Sequence, residues 1–253
     1  MRFTAKIAVV SALSVLLSGA SVQAQTTIGT AVSVDDTVVG NNARRISTSS
    51  PVFANERIRA NATGLGHFEF TDGTKMVVGP GTNLVLDELV YNPGGSTFNK
   101  FVLRTTSGAA RFISGSSNSS AYEIQTPVGT LGIRGTAFDL NHFRGRTYIM
   151  LVSGRLEFCS NSGQCQEIRR KCDFVVINAN GQISSPSQPR NGIFGGGDMG
   201  QFFPFINNQS RIEQGFRLRT NTCKGGARAG GGGGGDDGNQ DRDLDGGGRG
   251  NTT

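Results

Sequence analysis

The sequence predicts an all-β fold, either an antiparallel β-sandwich or a wound β-roll, and two observations support this prediction. Short runs of alternating apolar and polar residues recur along the chain, and tight-turn signals such as Asp72-Gly73 separate them. The composition is rich in turn-forming residues, with 38 Gly, no Trp and only 17% charged residues. Short strands joined by short turns satisfy both observations.

Residues 1–24 have the order of a secretory signal peptide. Arg2 and Lys6 give a positive start, Ile7–Leu17 is a short apolar run, and Val22-Gln-Ala24 matches a small-x-small cleavage site. The apolar run is too short for a bilayer span, and no later stretch is more apolar. We therefore expect an exported chain, periplasmic, extracellular or at the cell surface, with no stable membrane span after leader removal.

One β domain is expected over residues 25–184. Its first strands are predicted near Ala31–Val34 and Thr37–Val39, and Phe68 and Phe70 share the inner face of the next clear strand. His67 lies on the opposite face of that strand, where a surface or capping role is expected rather than a ligand role. Further strands are expected around 76–78, 84–88, 100–106, 110–113, 122–126, 146–152, 155–159, 164–168, 173–177 and 181–183.

The stretch from Thr126 to Phe138 reads T-P-V-G-T-L-G-I-R-G-T-A-F and spaces its glycines three apart. Glycine at this spacing suits strands that bend sharply or lie close to another backbone. Arg134 stands in an otherwise small and apolar run, so we expect it to be partly buried. It would then act as a structural tether to a carboxylate or to several carbonyls.

This stretch resembles the signature of the FecR domain, G-T-x-x-I-R-G-T-x-F, which is carried here by Gly129, Thr130, Ile133, Arg134, Gly135, Thr136 and Phe138. The runs F-x-F-x-D-G-T at 68–74 and V-V-G-P-G-T-N-L-V-L-D at 77–87 are similar to the first half of that domain, so the resemblance covers roughly residues 50–150. It implies an all-β extracytoplasmic sensor or interaction module. FecR regulators add a sigma-factor-binding segment and a single span, but a leader stands in their place here, which favours a free-standing exported version.

Four cysteines lie in the mature chain, and an even number in an exported protein indicates disulfides. Cys159 and Cys165 flank the turn at 161–163 almost symmetrically, so we expect them to pair and to leave Cys172 for Cys223. The alternative pairing, Cys159–Cys172 with Cys165–Cys223, stays open because a third strand could bring Cys172 beside Cys159. The spacings contain no C-x-x-C, which disfavours metal binding and redox catalysis.

The composition changes after residue 184. Residues 185–223 are expected to form a linker and a short amphipathic helix over Gln209–Thr220, and the Gly/Asp-rich residues 224–253 are expected to be disordered. Asp241, Asp243 and Asp245 match the first acidic positions of a calcium loop. Thr252 stands where such a loop has its bidentate glutamate, so this calcium hypothesis lacks one ligand.

The sequence offers no catalytic constellation, and we expect neither an enzyme nor a cofactor. It has two His, no G-x-S-x-G elbow and no phosphate loop. Basic residues are scattered apart from the run 169–171, and no aromatic platform accompanies that run, so nucleic acid is not an expected partner. We expect a non-catalytic binding or sensing module of the cell envelope, whose partner is another envelope protein or a surface glycan. A secreted structural or adhesive protein is the alternative, and a hydrolase of envelope polymers is the third candidate.

Overall fold

A computed structural model describes residues 26–91, 95–190 and 199–224. Strands dominate these residues, which confirms the all-β prediction. In chain order the strands are β1 Thr27–Asp35, β2 Val38–Val39, β3 Pro51–Phe53, β4 Arg57–Ala60, β5 Leu65–Phe70, β6 Lys75–Val78, β7 Asn83–Tyr91, β8 Phe98–Ile113, β9 Tyr122–Thr126, β10 Gly129–Phe143, β11 Arg146–Ser160, β12 Cys165–Ile168 and β13 Phe174–Ile177.

All of these strands join one 13-stranded sheet, in which the longest hydrogen-bonded path runs β12-β11-β10-β9-β8-β6-β5-β1-β3. Off this path, β13 pairs with β11, while β4 and β7 connect β2 to β8. Every strand pair is antiparallel except β8 with β9, which is parallel. The strands β8, β10 and β11 are long, so each pairs with different strands along its length. They therefore connect distant parts of the sheet.

The main hydrophobic core draws side chains from every strand of the sheet. A single cluster can contact all strands only if the sheet winds around it, which is the geometry of a wound roll. Phe101 lies near the centre, with its ring in edge contact with those of Phe70, Phe98 and Phe112. The apolar side chains of the alternating pattern therefore point inward along most strands.

The turn at Asp72-Gly73 is fixed by a buried polar network. The Asp72 carboxylate accepts hydrogen bonds from the Thr74 hydroxyl at 2.9 Å, from the Ser117 hydroxyl at 2.6 Å and from the Tyr122 hydroxyl at 2.5 Å. Gly73 takes the positive φ of 79° that the tight turn requires. The D-G-T triplet thus holds the β5–β6 hairpin against the loop before β9.

Residues 199–224, here called the C-terminal strap, pack on the outside of the wound sheet. The strap contains two short helices, α1 Met199–Phe202 and α2 Pro204–Asn207, and two 3-10 turns, Gln214–Phe216 and Asn221–Cys223. Phe202, Phe203 and Ile206 form a second apolar cluster with side chains of β10, β11 and β13. A third cluster joins Phe205, Ile212 and Phe216 to β5, β6 and β8.

The amphipathic helix expected over Gln209–Thr220 is wrong, because only the 3-10 turn at 214–216 forms there. The side chain of Gln209 accepts a hydrogen bond from the Leu218 amide at 2.9 Å and donates one to the Leu218 carbonyl at 2.8 Å. A helix would separate these two residues by about 13 Å along its axis. The segment closes into a loop instead, and the short helices form earlier in the strap.

Within 26–91, 95–190 and 199–224, no helix combines the length and apolarity that crossing a bilayer would require. The predicted leader at 1–24 and the predicted disordered tail at 225–253 lie outside these residues, as do the calcium candidates Asp241, Asp243 and Asp245.

Candidate binding face

A β-bulge in the FecR-like stretch reverses which side chains of β10 point outward. The register slips between Arg134 and Ala137, and Gly135 takes a φ of 55° within the bulge. Before the bulge the odd-numbered Leu131 and Ile133 enter the main core, whereas after it the even-numbered Phe138 and Leu140 do. The bulge therefore divides the outside of β10 into two halves.

The strap covers only the half that follows the bulge. Ala137 of β10 and the facing Tyr148, Met150 and Val152 of β11 lie beneath the strap in the second apolar cluster. The half that precedes the bulge carries no strap residues and stays open. We call this open surface the outer face; it consists of Glu123 and Gln125 on β9, Thr130, Gly132 and Arg134 on β10, Arg155, Glu157 and Cys159 on β11, and Cys165 and Glu167 on β12.

A groove of about 730 Å³ runs over the outer face. Its lining includes residues 118–120 before β9, the pair Arg134 and Arg155, and the acidic Glu123, Glu157 and Glu167. This volume lies within the range of small-molecule and peptide pockets. The groove carries charges of both signs and stays open beside the surface that the strap covers.

The charges of the outer face form two adjacent rows across the strands. Arg134 and Arg155 are directly opposed across β10 and β11. The next row joins Glu123, Gly132, Glu157 and Glu167 through successive cross-strand pairs. Like charges directly opposed in a sheet destabilise it, so two opposed arginines are an arrangement that folding alone does not favour.

Some of these charges are already paired. Arg155 lies 3.4 Å from Glu167, which also accepts a hydrogen bond from Arg169, and that hydrogen bond lowers the pKa of Glu167. Glu123 accepts a hydrogen bond from Gln125 at 2.6 Å. Within the described part of the chain, the side chains of Arg134 and Glu157 form no hydrogen bond or ion pair. One charge of each sign is thus left available in the groove.

Gly132 lies in the acidic row, between Glu123 and Glu157, and forms part of the floor of the groove. It is exposed, its φ lies outside the left-handed region, and a Cβ placed on it would meet no atom within 4 Å. Neither backbone conformation nor packing therefore requires glycine here. The missing side chain instead leaves room for another molecule to approach the backbone of β10.

The expectation that Arg134 is a partly buried tether is wrong, because Arg134 is exposed on the outer face. Alternation on the strand explains the difference: its neighbour Ile133 takes the inward position and is 5% exposed. The bulge is stabilised by Thr136 rather than by a buried arginine. Its hydroxyl accepts a hydrogen bond from the Arg134 amide at 2.9 Å and donates one to the Arg155 carbonyl at 2.5 Å.

The other residues of the FecR-like pattern serve the fold around this face. Gly129 is buried, and a Cβ there would lie 2.3 Å from the Cys159 carbonyl oxygen, so only glycine fits. Phe138 stacks on Phe112 in the core with 5.6 Å between ring centroids. Thr130 lies on the outer face beside the disulfide that bounds the groove.

Sequence reasoning missed the arginine that is buried, Arg111 on β8. It is 0% exposed, and its guanidinium binds the Asp139 carboxylate through two hydrogen bonds of 2.7 and 2.8 Å. It also donates to the Gln209 side chain at 2.7 Å and to the Phe205 carbonyl at 3.0 Å. This pair therefore anchors the strap; its sequence signal was a lone charge inside each of two apolar runs, A-A-R-F-I and A-F-D-L.

Both disulfides are present in the structure, with the pairing favoured by the sequence. Cys159 bonds to Cys165 across β11 and β12, and Cys172 bonds to Cys223. The first bridge lies at the edge of the outer face. The second fixes the end of the strap to the loop before β13.

The two histidines lie apart from the outer face and contact no carboxylate by hydrogen bond. His67 is 1% exposed rather than at the surface, and its Nε2 accepts a hydrogen bond from the Glu213 amide at 3.2 Å. His142 contacts the Thr105 and Thr147 hydroxyls at 2.6 and 2.9 Å. Burial lowers the pKa of both rings, that of His142 to about 4.

The fold and the bulged, glycine-containing strand define a class of protein, an all-β module with an open charged face. Residues 56–157 match the family described as FecR protein. The match spans β4 to β10 completely and includes the whole of the resemblance pattern at 129–138.

Two crystal structures, at 2.50 and 1.65 Å resolution, also resemble the chain; both are of a protein from Parabacteroides distasonis described provisionally as an anti-sigma factor. Identity is 14%, the TM-score is 0.41, and the alignment covers 51% of this chain and 57% of the other. The chain thus spans just over half the length of these structures. The sequence has no significant match among curated proteins.

Proposed function

We propose that the protein is a non-catalytic binding or sensing module of the cell envelope, which binds another envelope protein through the outer face. The observation that supports this most directly is Gly132, an exposed glycine that neither backbone conformation nor packing requires, placed in the acidic row next to the opposed pair Arg134 and Arg155. The match of residues 56–157 to the FecR family supports a regulatory or sensing role rather than catalysis.

Export is part of the proposal. Two disulfides involve all four cysteines, and disulfides persist in oxidising compartments rather than in the cytosol. The charge and apolarity pattern of residues 1–24 supports secretion by the same reasoning. N-terminal sequencing of the mature protein should begin at Gln25, and a mature protein that retains Met1 would contradict export by this leader.

The proposed binding can be tested with one substitution that fills the groove. Gly132→Leu adds a side chain in open space, so it should obstruct the groove and leave the fold intact. Thr30→Leu is the matched control, because it adds the same side chain to an exposed position of β1, far along the strand order. Immobilised mature protein and both variants would be incubated with envelope extract, and captured proteins compared by mass spectrometry.

We expect one captured protein to be depleted by Gly132→Leu and retained by Thr30→Leu, with unchanged unfolding midpoints for both variants. Equal capture by all three proteins would overturn the outer face as the binding site. If the depleted molecules were polysaccharide rather than protein, the glycan partner would replace the protein partner. Turnover of peptidoglycan fragments by the wild-type protein would contradict the non-catalytic role.

A further inference from the structure

The charges of the outer face also indicate what kind of segment would bind there, provided that this face is the binding site proposed above. Arg134 and Glu157 are the two charged groups in the groove without a hydrogen bond or ion pair in the described residues. They stand in adjacent rows: Glu157 is directly opposed to Gly132, and Arg134 lies two residues further along β10. A suitable partner therefore needs one negative and one positive group at a defined separation.

The separation follows from the geometry of β10. Arg134 and Gly132 are two residues apart on the strand, so the two rows lie about 6.6 to 6.8 Å apart. Side chains on one face of an extended peptide have the same spacing, because they too are two residues apart. A peptide lying along β10 would place an acidic residue i at the arginine row and a basic residue i+2 at the glutamate row.

The floor of the groove favours the same occupant. A peptide backbone that crosses Gly132 meets no side chain there, whereas any other residue at this position would project into its path. A neutral glycan could occupy the space, but it would give neither Arg134 nor Glu157 an ion-pair partner. Charge complementarity thus favours a peptide over a neutral sugar.

We propose that the outer face binds an extended peptide segment whose acidic and basic side chains alternate at positions i and i+2. Arg134 and the opposed Arg155 bind the acidic side chain of the peptide, and Glu157 binds its basic side chain. Thr130 and the Cys159–Cys165 disulfide bound the groove at one end. The bulge at Gly135, where the strap begins to cover β10, bounds it at the other.

Synthetic peptides provide the probe. One peptide repeats Asp-Thr-Lys-Thr, a second has the same composition with Asp gathered in one half and Lys in the other, and a third repeats Lys-Thr-Lys-Thr. Each would be titrated against the mature protein, with binding followed by fluorescence anisotropy at low and at high salt. We expect the alternating peptide to bind roughly fivefold more tightly than the segregated one, and the difference to shrink at high salt.

Substitutions make the test specific for the two rows. Arg134→Glu leaves Arg155 as the one basic group of the two rows and makes the rows together net acidic, so the preference should move from the alternating peptide to the all-lysine repeat. Gly132→Leu should weaken binding of every peptide, and Thr30→Leu should leave all affinities unchanged. Equal affinities for the alternating and segregated peptides, an unchanged preference in Arg134→Glu, or no binding of any peptide would each overturn this inference.

The outcome can be separated from that of the proposed function. Suppose that Gly132→Leu still depletes an envelope protein in the capture experiment while the alternating and segregated peptides bind with equal affinity. The alternating-charge inference is then wrong, but the outer face is still supported as the binding site. If Gly132→Leu changes neither capture nor peptide binding, both the proposed binding site and the alternating-charge inference are wrong.

Discussion

Of the two arginines Arg111 and Arg134, the buried one is not the one that the FecR-like pattern led us to expect. Arg134 follows the apolar Ile133 in the family pattern but is exposed, whereas Arg111 lies in an ordinary strand and is fully buried. A strand residue faces the interior or the solvent according to its phase, and a bulge changes the phase. The identities of neighbouring residues alone do not fix that phase.

Removing the buried guanidinium should destabilise the protein strongly. Arg111→Met leaves the Asp139 carboxylate buried without its partner, so we expect the free energy of unfolding in urea to fall by about 3 to 5 kcal/mol. The double variant Arg111→Met, Asp139→Leu removes both charges and should recover part of that loss. The exposed Arg134→Ala should change stability by less than about 0.5 kcal/mol; equal losses for Arg111→Met and Arg134→Ala would contradict the assignment.

His142 should make stability depend on pH in the mildly acidic range. Burial lowers its pKa in the folded protein to about 4 from the ordinary 6.5, so the unfolded chain takes up the proton first as pH falls. This group has no effect above about pH 6.5, and it should cost up to roughly 3 kcal/mol as pH falls from 6.5 towards 4.

His142→Gln keeps a neutral polar group beside Thr105 and Thr147 without a titrating ring. Urea unfolding at a series of pH values should therefore show a shallower loss for this variant than for the wild type. Some loss should remain, since burial also lowers the pKa of His67. Parallel curves for the two proteins would show that His142 does not contribute.

At the scale of the elements, replacing different glycines of β10 with alanine should change the unfolding free energy by different amounts. Gly135→Ala places a side chain at a φ of 55°, which should cost on the order of 1 kcal/mol. Gly132→Ala meets open space at an ordinary φ and should change the unfolding free energy by less than about 0.5 kcal/mol. Thermal unfolding of both variants checks this, and equal destabilisation would contradict the difference in their roles.

Most strands could be predicted from the sequence, because alternating residues such as Phe68 and Phe70 face one core. The bulge could not be placed, since Gly132 and Gly135 look alike in the sequence and only their φ angles separate them. The expected helix at 209–220 failed for a tertiary reason: the side chain of Gln209 closes a loop on Leu218 while it also binds Arg111. Contacts between residues distant in sequence decided both features.

At the scale of the whole molecule, the strap and the outer face divide the outside of the wound sheet between them. The bulge at Gly135 marks the boundary, because apolar side chains lie under the strap on one side of it and charged ones lie open on the other. The strap is held at several places along its length, among them by Arg111 near its middle, by His67 at the Glu213 amide, and by the Cys172–Cys223 bridge at its end. Its apolar residues therefore stay covered while the groove remains available.

The two disulfides should contribute unequally to stability, because they close loops of different length. Cys172 and Cys223 are 51 residues apart, so replacing both with Ser should cost roughly 4 kcal/mol in the chain-entropy picture and should expose the strap to trypsin near Arg211 and Arg217. Cys159 and Cys165 are 6 apart, and the same replacement should cost only about 2 kcal/mol and leave the strap protected. Urea unfolding and limited proteolysis measure the two effects, and non-reducing peptide mapping of the wild type checks the pairing itself. A peptide that links Cys165 to Cys223, or faster strap cleavage after loss of the Cys159–Cys165 bridge, would mean that the strap is anchored differently.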